Sequence, residues 1–339
     1  MPAQNAPGSP PEHLEFVRDL IQLEDQAAKL EQVDVNDGEQ RHTYSVISIP
    51  SFYSNIRQVR ANGGKLVATT HDVEELLKEV KKSNSEGLIL DLRGNGGGYL
   101  DEAISLTGLF IDQGPVVQVV SKPNRRQVLK DREAGVAYDG PVVVLIDRYS
   151  ASASEIFAGA MQDYKRGVIV GEQTYGKGTV QNVRGLNDFL RGAEKDTLGL
   201  IKYTIAKFYR VNGSSTQHLG VTPDIEYPSA FNAQEFGESS RPSALKWDQI
   251  ASAQYTPLNY IDKTLLDNLK QTHGQRLKTD QSLLNYQQDI EEVKRARNRL
   301  VVSLNYKKRK QEQDEREQRR AARVKGGDSL GELEANKVV

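Results

Sequence analysis

Short apolar runs alternate with amphipathic stretches from about residue 44 to residue 230, and this alternation is the chain's main structural signal. "YSVISIP" (44–50) reads as a strand that stops at Pro50. "HDVEELLKEVKKS" (71–83) reads as a helix. Val73, Leu76, Leu77 and Val80 share one face, and Asp72 and Glu75 have capping-box spacing. "GLILDLR" (87–93) and "PVVVLIDR" (141–148) are continuous apolar runs, the pattern of strands buried in a parallel sheet. "YLDEAISLTGLF" and "SEIFAGAMQDY" read as further helices, and "GPVVQVVSKP" and "GVIVGE" as further strands. Strands separated by helices predict βαβ units, so the expected class is α/β with a helix-covered parallel sheet. "IKYTIAKFYR" (201–210) is longer and alternates, which predicts a more exposed antiparallel strand before the turn signal "NGSS".

The ends follow other patterns. Residues 1–43 are polar, with one helical or extended piece at "LEFVRDLIQLEDQAAKLEQV", and "MPAQNAPGSPPEH" has the composition of a disordered leader. Residues 240–339 lack strand signals. Leu283, Tyr286, Ile290, Val293, Leu300, Val301 and Leu304 recur at helical spacing. "NYKKRKQEQDEREQRRAARVK" then carries mixed charge with too few apolar residues for a core, and "GGDSLGELEANKVV" reads as a loose tail. The domains expected are therefore a leader (1–43), an α/β core (44–235) and a charged helical region (240–339).

Composition narrows the function classes. The 339 residues predict two domains with tails. A net charge of -1 gives no global field favouring nucleic acid or an anionic membrane. With 37% hydrophobic and 27% charged residues, some of the chain must lie in solvated helices or disorder. No cysteine is present, which excludes disulfides, thiolate zinc sites and a cysteine nucleophile. No apolar run approaches the ~20 residues that span a bilayer, and the N-terminus has no secretory signal pattern.

Three clusters carry candidate chemistry. "GEQTYGKGTV" (171–180) is near a phosphate loop, but the position after Lys177 is Gly178, with no hydroxyl for Mg²⁺, and "TVQNVRG" reads as strand or turn rather than helix. The bland alternative is a glycine-framed hairpin. "RYSASASEIFAGAMQDY" puts small residues at a strand-to-helix turn, where amide N–H groups are free to bind developing negative charge. Ser152 and Glu155 match a capping box, and Ser150 and Ser154 are rival caps. "DLRGNGGGYL" has four glycines in the five positions 94–98, which suits a backbone anion hole better than a plain loop. A serine nucleophile needs a base. Of the five histidines only His218 is well placed, and it has no evident acidic partner. A lysine whose pKa is lowered by burial can serve instead.

Taken in order, "DLRGNGGG", "DRYSASASEIFAGAMQDY", "GEQTYGKGTVQ" and "GVTPDIEYP" resemble the C-terminal processing peptidases, serine proteases with a Ser–Lys dyad. "KFYRVNGSSTQHLGVTPDI" and "RLVVSLNYKKRK" resemble the bacterial tail-specific branch, and the likeness runs from about residue 22 to about 310. The resemblance implies a ClpP/crotonase-like fold, Ser152 as nucleophile and Lys177 as base, 25 residues apart. It implies Gln181 as the residue that orients the lysine, Asp163 as an acidic position associated with activity, and Gly98 with the amide of Ala153 as the oxyanion hole. It implies protein substrates with apolar C-termini, an adaptor lipoprotein as a partner, and a periplasmic or envelope location. Neither metal, nucleotide nor nucleic acid is implied. Family members carry a PDZ domain ahead of the core. Here only "LEDQAAK" resembles the end of the preceding region, so the chain reads as the C-terminal half of a longer protein. The rival expectations are an inactive binding or scaffold module, a nucleotide-binding protein, and a crotonase-like enzyme acting on an acyl thioester.

Overall fold

The computed structural model describes residues 27–324, apart from 39, 57–58, 61–62, 124, 190–197 and 232–234. Residues 1–26 of the leader expected at 1–43, and the whole loose tail expected at 326–339, lie outside the described residues. Six strands form the main sheet: β1 (Lys29–Asp37), β2 (Gln40–Ser48), β3 (Leu88–Asp91), β6 (Val142–Ile146), β7 (Val168–Gly171) and β10 (Ile225–Glu226), side by side in that order. Only the β1–β2 pair is antiparallel; the other four pairs are parallel. The boundary expected at residue 43 therefore falls inside a hairpin. Residues 29–36 are mostly polar and exposed, which is why their pattern reads as leader although the backbone of β1 completes the sheet edge.

Helices α1 (Thr69–Lys82), α2 (Leu100–Gly108) and α3 (Ala153–Asp163) cover one face of this sheet. Val73, Leu77 and Val80 of α1, Ala103 and Leu106 of α2, and Phe157 and Met161 of α3 share one cluster with Leu88, Leu90, Val142, Val144 and Ile146. The alternate positions Ile89, Val143 and Leu145 are only half-buried, so the continuous apolar runs did not mean equal burial on both faces. A second, four-stranded antiparallel sheet has the order β5 (Arg125–Asp131), β4 (Gly114–Ser121), β9 (Leu200–Tyr209), β8 (Thr179–Gly185). β9 is the expected antiparallel strand. β5 carries three cations and only two apolar residues, Val128 and Leu129, so its pairing with β4 is what makes it a strand.

The region expected to be helical from 240 begins as an extended strap. Trp247 Nε1 donates to Ser215 O (3.0 Å), Ala253 N–H to Val211 O (2.8 Å) and Leu258 N–H to Tyr164 O (2.8 Å), and Tyr255 packs edge-on against Tyr164. Helices α4 (Lys263–Thr279), α5 (Gln281–Arg297) and α6 (Tyr306–Val324) follow. Asp262 and Asp280 cap α4 and α5. α5 stops at Arg297, so Leu300, Val301 and Leu304 continue its spacing but not its helix, and all three are exposed.

A buried cation ties these parts together. Arg166 is 1% exposed; its Nε donates to Phe110 O (2.9 Å) and its Nη2 to Tyr138 O (2.7 Å) and Gly140 O (3.0 Å). The strap closes over it, with the Tyr260 ring 4.5 Å from the guanidinium. Arg166→Met is expected to leave three carbonyls without donors and to cost about 3 kcal/mol or more. A fall in the urea midpoint at unchanged m checks this; an unchanged midpoint would contradict it.

Candidate active site

Three backbone segments meet at the carboxyl ends of β3 and β6: the glycine loop 93–98, the turn 147–152 that enters α3, and the turn 173–178 that enters β8. The strand ends position the first two. Asp147, the residue after β6, accepts N–H bonds from Gly94 (2.9 Å), Tyr149 (2.9 Å) and Ser150 (3.0 Å). Asn95 O accepts from Ala151 N–H (3.0 Å) and from Ser154 Oγ (2.9 Å). Asn95 Nδ2 donates to Ile49 O (2.8 Å), and its Oδ1 accepts Gly97 N–H (2.9 Å).

Glycine is required where these loops touch. A Cβ on Gly97 would lie 2.8 Å from both Ala151 O and Ser152 Cβ, and 3.1 Å from Ala153 N. A Cβ on Gly98, at φ +150°, would lie 2.0 Å from Phe52 O. Gly97 thus lies against Ser152 and the first amide of α3, Ala153, with Gly98 next to it in the chain. Among the described residues neither the Gly98 nor the Ala153 N–H donates to the protein. Two unpaired N–H groups beside a serine at a helix N-terminus can stabilise an oxyanion.

The three serines separate cleanly. Ser150 is fully buried and its Oγ donates to Leu92 O (2.8 Å); Ser154 is fully buried and its Oγ donates to Asn95 O. Ser152 alone keeps partial solvent access. It sits at φ +58°, ψ -110°, a conformation that non-glycine residues adopt at a cost of about 1–3 kcal/mol. The acidic half of the expected capping box is present: Ser152 N–H donates to Glu155 Oε2 (2.7 Å).

That carboxylate also holds the third segment. Glu155 Oε2 accepts Lys177 N–H (3.0 Å), and Oε1 accepts Gly176 N–H (2.7 Å) and Thr174 Oγ1 (2.6 Å). Glu155 is fully buried, and burial pushes its pKa up to about 7 against four donors that favour the ionised form. Arg148, buried after β6, donates to Gln173 O (2.6 Å) and Thr174 O (3.0 Å) and secures the same turn. Gly178 N–H is held by Gln217 Oε1 (2.9 Å). The strand β8 follows Lys177 where a phosphate loop needs a helix, so the nucleotide reading has no structural support.

Lys177 Nζ donates to Gln181 Oε1 (3.0 Å). Burial lowers the Lys177 pKa from its ordinary value. The nearby Lys202 and Arg241 lower it further, while Glu238 and Glu155 oppose. Ser152 and Lys177 thus meet through one carboxylate, Gln181 joins through Lys177, and Gly97, next to Gly98, lies against Ser152 and Ala153. Asp163 does not join them. It lies at the far end of α3, about 16 Å along the axis from Ser152, where it pairs with Arg210 (2.6 Å) and accepts from Asn212 (2.8 Å). His218 packs its backbone on Gly176 (2.8 Å), and its Nε2 is buried without a partner among the described residues. Glu155 is visible in the sequence only as a capping residue and Gly97 only as one glycine of a candidate anion-binding loop, and Asn95, Asp147 and Thr174 carry no sequence signal; their roles are three-dimensional.

The chain is similar to known proteins over most of its length. Residues 43–227 match peptidase family S41, and residues 231–337 match the C-terminal domain of tail specific protease. A tail-specific protease of Haemophilus influenzae is 45% identical over 308 residues, covering 90% of this chain and 42% of that protein. A carboxy-terminal-processing protease of Bartonella bacilliformis is 38% identical over 154 residues, covering 45% of this chain and 33% of the relative. A solved photosystem II D1 C-terminal processing protease is 27% identical, with 61% of this chain and 50% of that one covered and a TM-score of 0.47. The chain spans less than half the length of these two curated relatives.

Glutamine at 155 would turn an NH₂ group towards backbone donors. Glu155→Gln is expected to slow labelling of Ser152 by a fluorophosphonate at least about tenfold, since losing hydrogen bonds to a charged group costs ~1.5–3 kcal/mol each. Wild-type labelling kinetics in this variant would show that the carboxylate does not organise the site.

Proposed function

The chain belongs to peptidase family S41, and from that premise we propose that it is a serine endopeptidase working through a Ser152–Lys177 dyad. The observation that carries the proposal is the shared carboxylate: Glu155 Oε2 accepts both Ser152 N–H and Lys177 N–H, so the nucleophile's turn and the base's turn are fixed to one atom. Ser152 Oγ attacks the scissile carbonyl as its proton passes to neutral Lys177 Nζ. The oxyanion takes N–H bonds from Gly98 and Ala153. As the C–N bond breaks, Lys177 returns the proton to the leaving amine, and water then hydrolyses the acyl-enzyme by the reverse proton route. Gln181 orients the ammonium-to-amine switch through its 3.0 Å contact. Asp163 acts at a distance, fixing the end of α3 to Arg210 and Asn212.

The family resemblance extends the proposal to substrates and place. Substrates are proteins with accessible apolar C-termini, an adaptor lipoprotein delivers some of them, and the setting is the periplasm or cell envelope. The α/β core and the helical region 263–324 divide the work between chemistry and an assembly or platform surface. No helix among the described residues is long and apolar enough to cross a membrane.

The test is cleavage of an unfolded fluorescent protein with an apolar C-terminus. Ser152→Ala and Lys177→Ala are each expected to reduce kcat by about 10³-fold or more. Cleavage that survives Ser152→Ala would overturn the proposal. Both titrations push activity the same way. Glu155 must be ionised, which needs a pH above about 7, and Lys177 must be neutral, which its lowered pKa allows below the usual lysine range. The kcat is therefore expected to climb from pH 6 into the alkaline range and to level off before the ordinary lysine value of 10.5. A flat profile between pH 6 and 9 would contradict lysine as the base.

A further inference from the structure

The β8–β9 ribbon leaves the catalytic turn directly, and its register fixes which side chains look back at it. In this antiparallel pair Gln181 lies opposite Thr204 and Val183 opposite Lys202. Residues directly opposite share a face, as do residues two apart on one strand. Gln181, Val183, Thr204 and Lys202 therefore form one face, and it is the face on which Gln181 holds Lys177 Nζ. The Val183–Lys202 pair stands one dipeptide repeat beyond Gln181–Thr204, about 7 Å along the ribbon. Lys202 is exposed, and among the described residues it has no hydrogen-bond or ion-pair partner.

The other charges around Lys177 are engaged or elsewhere. Glu155 is buried under four donors. The Arg241 guanidinium lies over the Tyr175 ring, 5.9 Å from its centroid. Glu238 donates its backbone N–H to Tyr175 O (3.0 Å) and partly offsets the cations beside Lys177. An unpaired ammonium on the working face, one dipeptide repeat from the base, matches an extended peptide whose same-side side chains recur at that interval.

Resting on the dyad reading above, we propose that Lys202 is a specificity residue that holds a substrate carboxylate within two or three residues of the scissile bond. The carboxylate comes from an Asp or Glu side chain or from a free peptide C-terminus, and Lys202 meets either as a point charge.

The experiment compares matched fluorogenic peptides that differ only in Glu or Gln at each position flanking the cleaved bond, and in a free or amidated C-terminus. Wild-type chain is expected to favour one carboxylate-bearing peptide over its neutral twin by about fivefold in kcat/KM, mainly through KM, and less so at high salt. Which pair shows the preference tells side chain from terminus. Lys202→Met should bring the ratio to about one, and Lys202→Glu should reverse it in favour of a Lys-bearing peptide. Loss of charge next to Lys177 slows both members of a pair alike, so the ratio separates carboxylate recognition from any effect on the base. An unchanged ratio in Lys202→Met overturns the inference.

The same peptide pairs are also bound to Ser152→Ala protein and read by fluorescence anisotropy. No cleavage by the wild-type chain, combined with a Lys202-dependent Kd ratio, would reject the protease reading and keep the carboxylate site. Equal Kd values across every pair would reject the site.

Discussion

The site hangs on one buried carboxylate. Glu155 lies in the first turn of α3, behind Ser152, and reaches across to a turn that follows it by some twenty residues of sequence. Burying a carboxylate costs several kcal/mol unless donors surround it. Four donors do so here: three backbone amides, each belonging to a segment whose placement matters, and the Thr174 hydroxyl. Thr174 Oγ1 in turn accepts Val221 N–H (2.7 Å), so the carboxylate's hold passes on to the segment leading into β10. A neutral acid or amide cannot accept four bonds of this kind, and so the charge itself is what orders the loops.

Around that anchor the backbone is placed where only certain residues fit. Ser152 carries a strained positive φ, and Gly97, Gly98 and Gly176 carry positive φ values with no room for a Cβ. These strained positions cluster at the carboxyl ends of parallel strands, where βα loops converge and the sheet behind them is rigid. The rigidity comes from the shared core of α1, α2, α3 and the alternate residues of β3 and β6. Strain of this kind survives only because the surrounding bonds over-determine the loops. Asp147 and Asn95 each bind two segments at once.

Two buried arginines extend the same logic outward. Arg148 and Arg166 donate to main-chain carbonyls rather than to carboxylates in the contacts that fix them. Arg148 joins the turn before Lys177 to Phe236 O, and Arg166 joins the helix α3 end to the loop before β6 and, through Tyr260, to the strap. The strap and the start of the charged helical region are thus parts of the core's packing. Charge on α5 reaches the same neighbourhood: Arg297 donates to Ala230 O (2.9 Å) and lies 5.0 Å from the Phe231 ring centroid, and Phe231 meets Tyr149 edge-on beside the serine turn.

Local pattern determined a good deal of this protein. Apolar runs and 3.6-residue spacing specify β3, β6, β7, α1, α2 and α3, because each buries a face that its own residues define. The ordered motifs specify the family, because serine, lysine and glycine stand at positions that local structure alone would not favour. Other features were decided only by tertiary structure. β1 and β5 are strands because a partner strand supplies their hydrogen bonds, not because their side chains demand it. α5 ends at Arg297 although its apolar spacing continues, because none of the described residues covers Leu300, Val301 and Leu304, which are exposed. Asp163 was grouped with the dyad by motif, yet a helix of its length carries it to the opposite end, where Arg210 neutralises it. Glu155 read as a helix cap, and it caps; its second partner is set by how the 173–178 turn folds back over α3. Sequence records which residues can bury, bend or ionise. Which of them meet depends on contacts between segments far apart in the chain, and those contacts exist only once the sheet has formed.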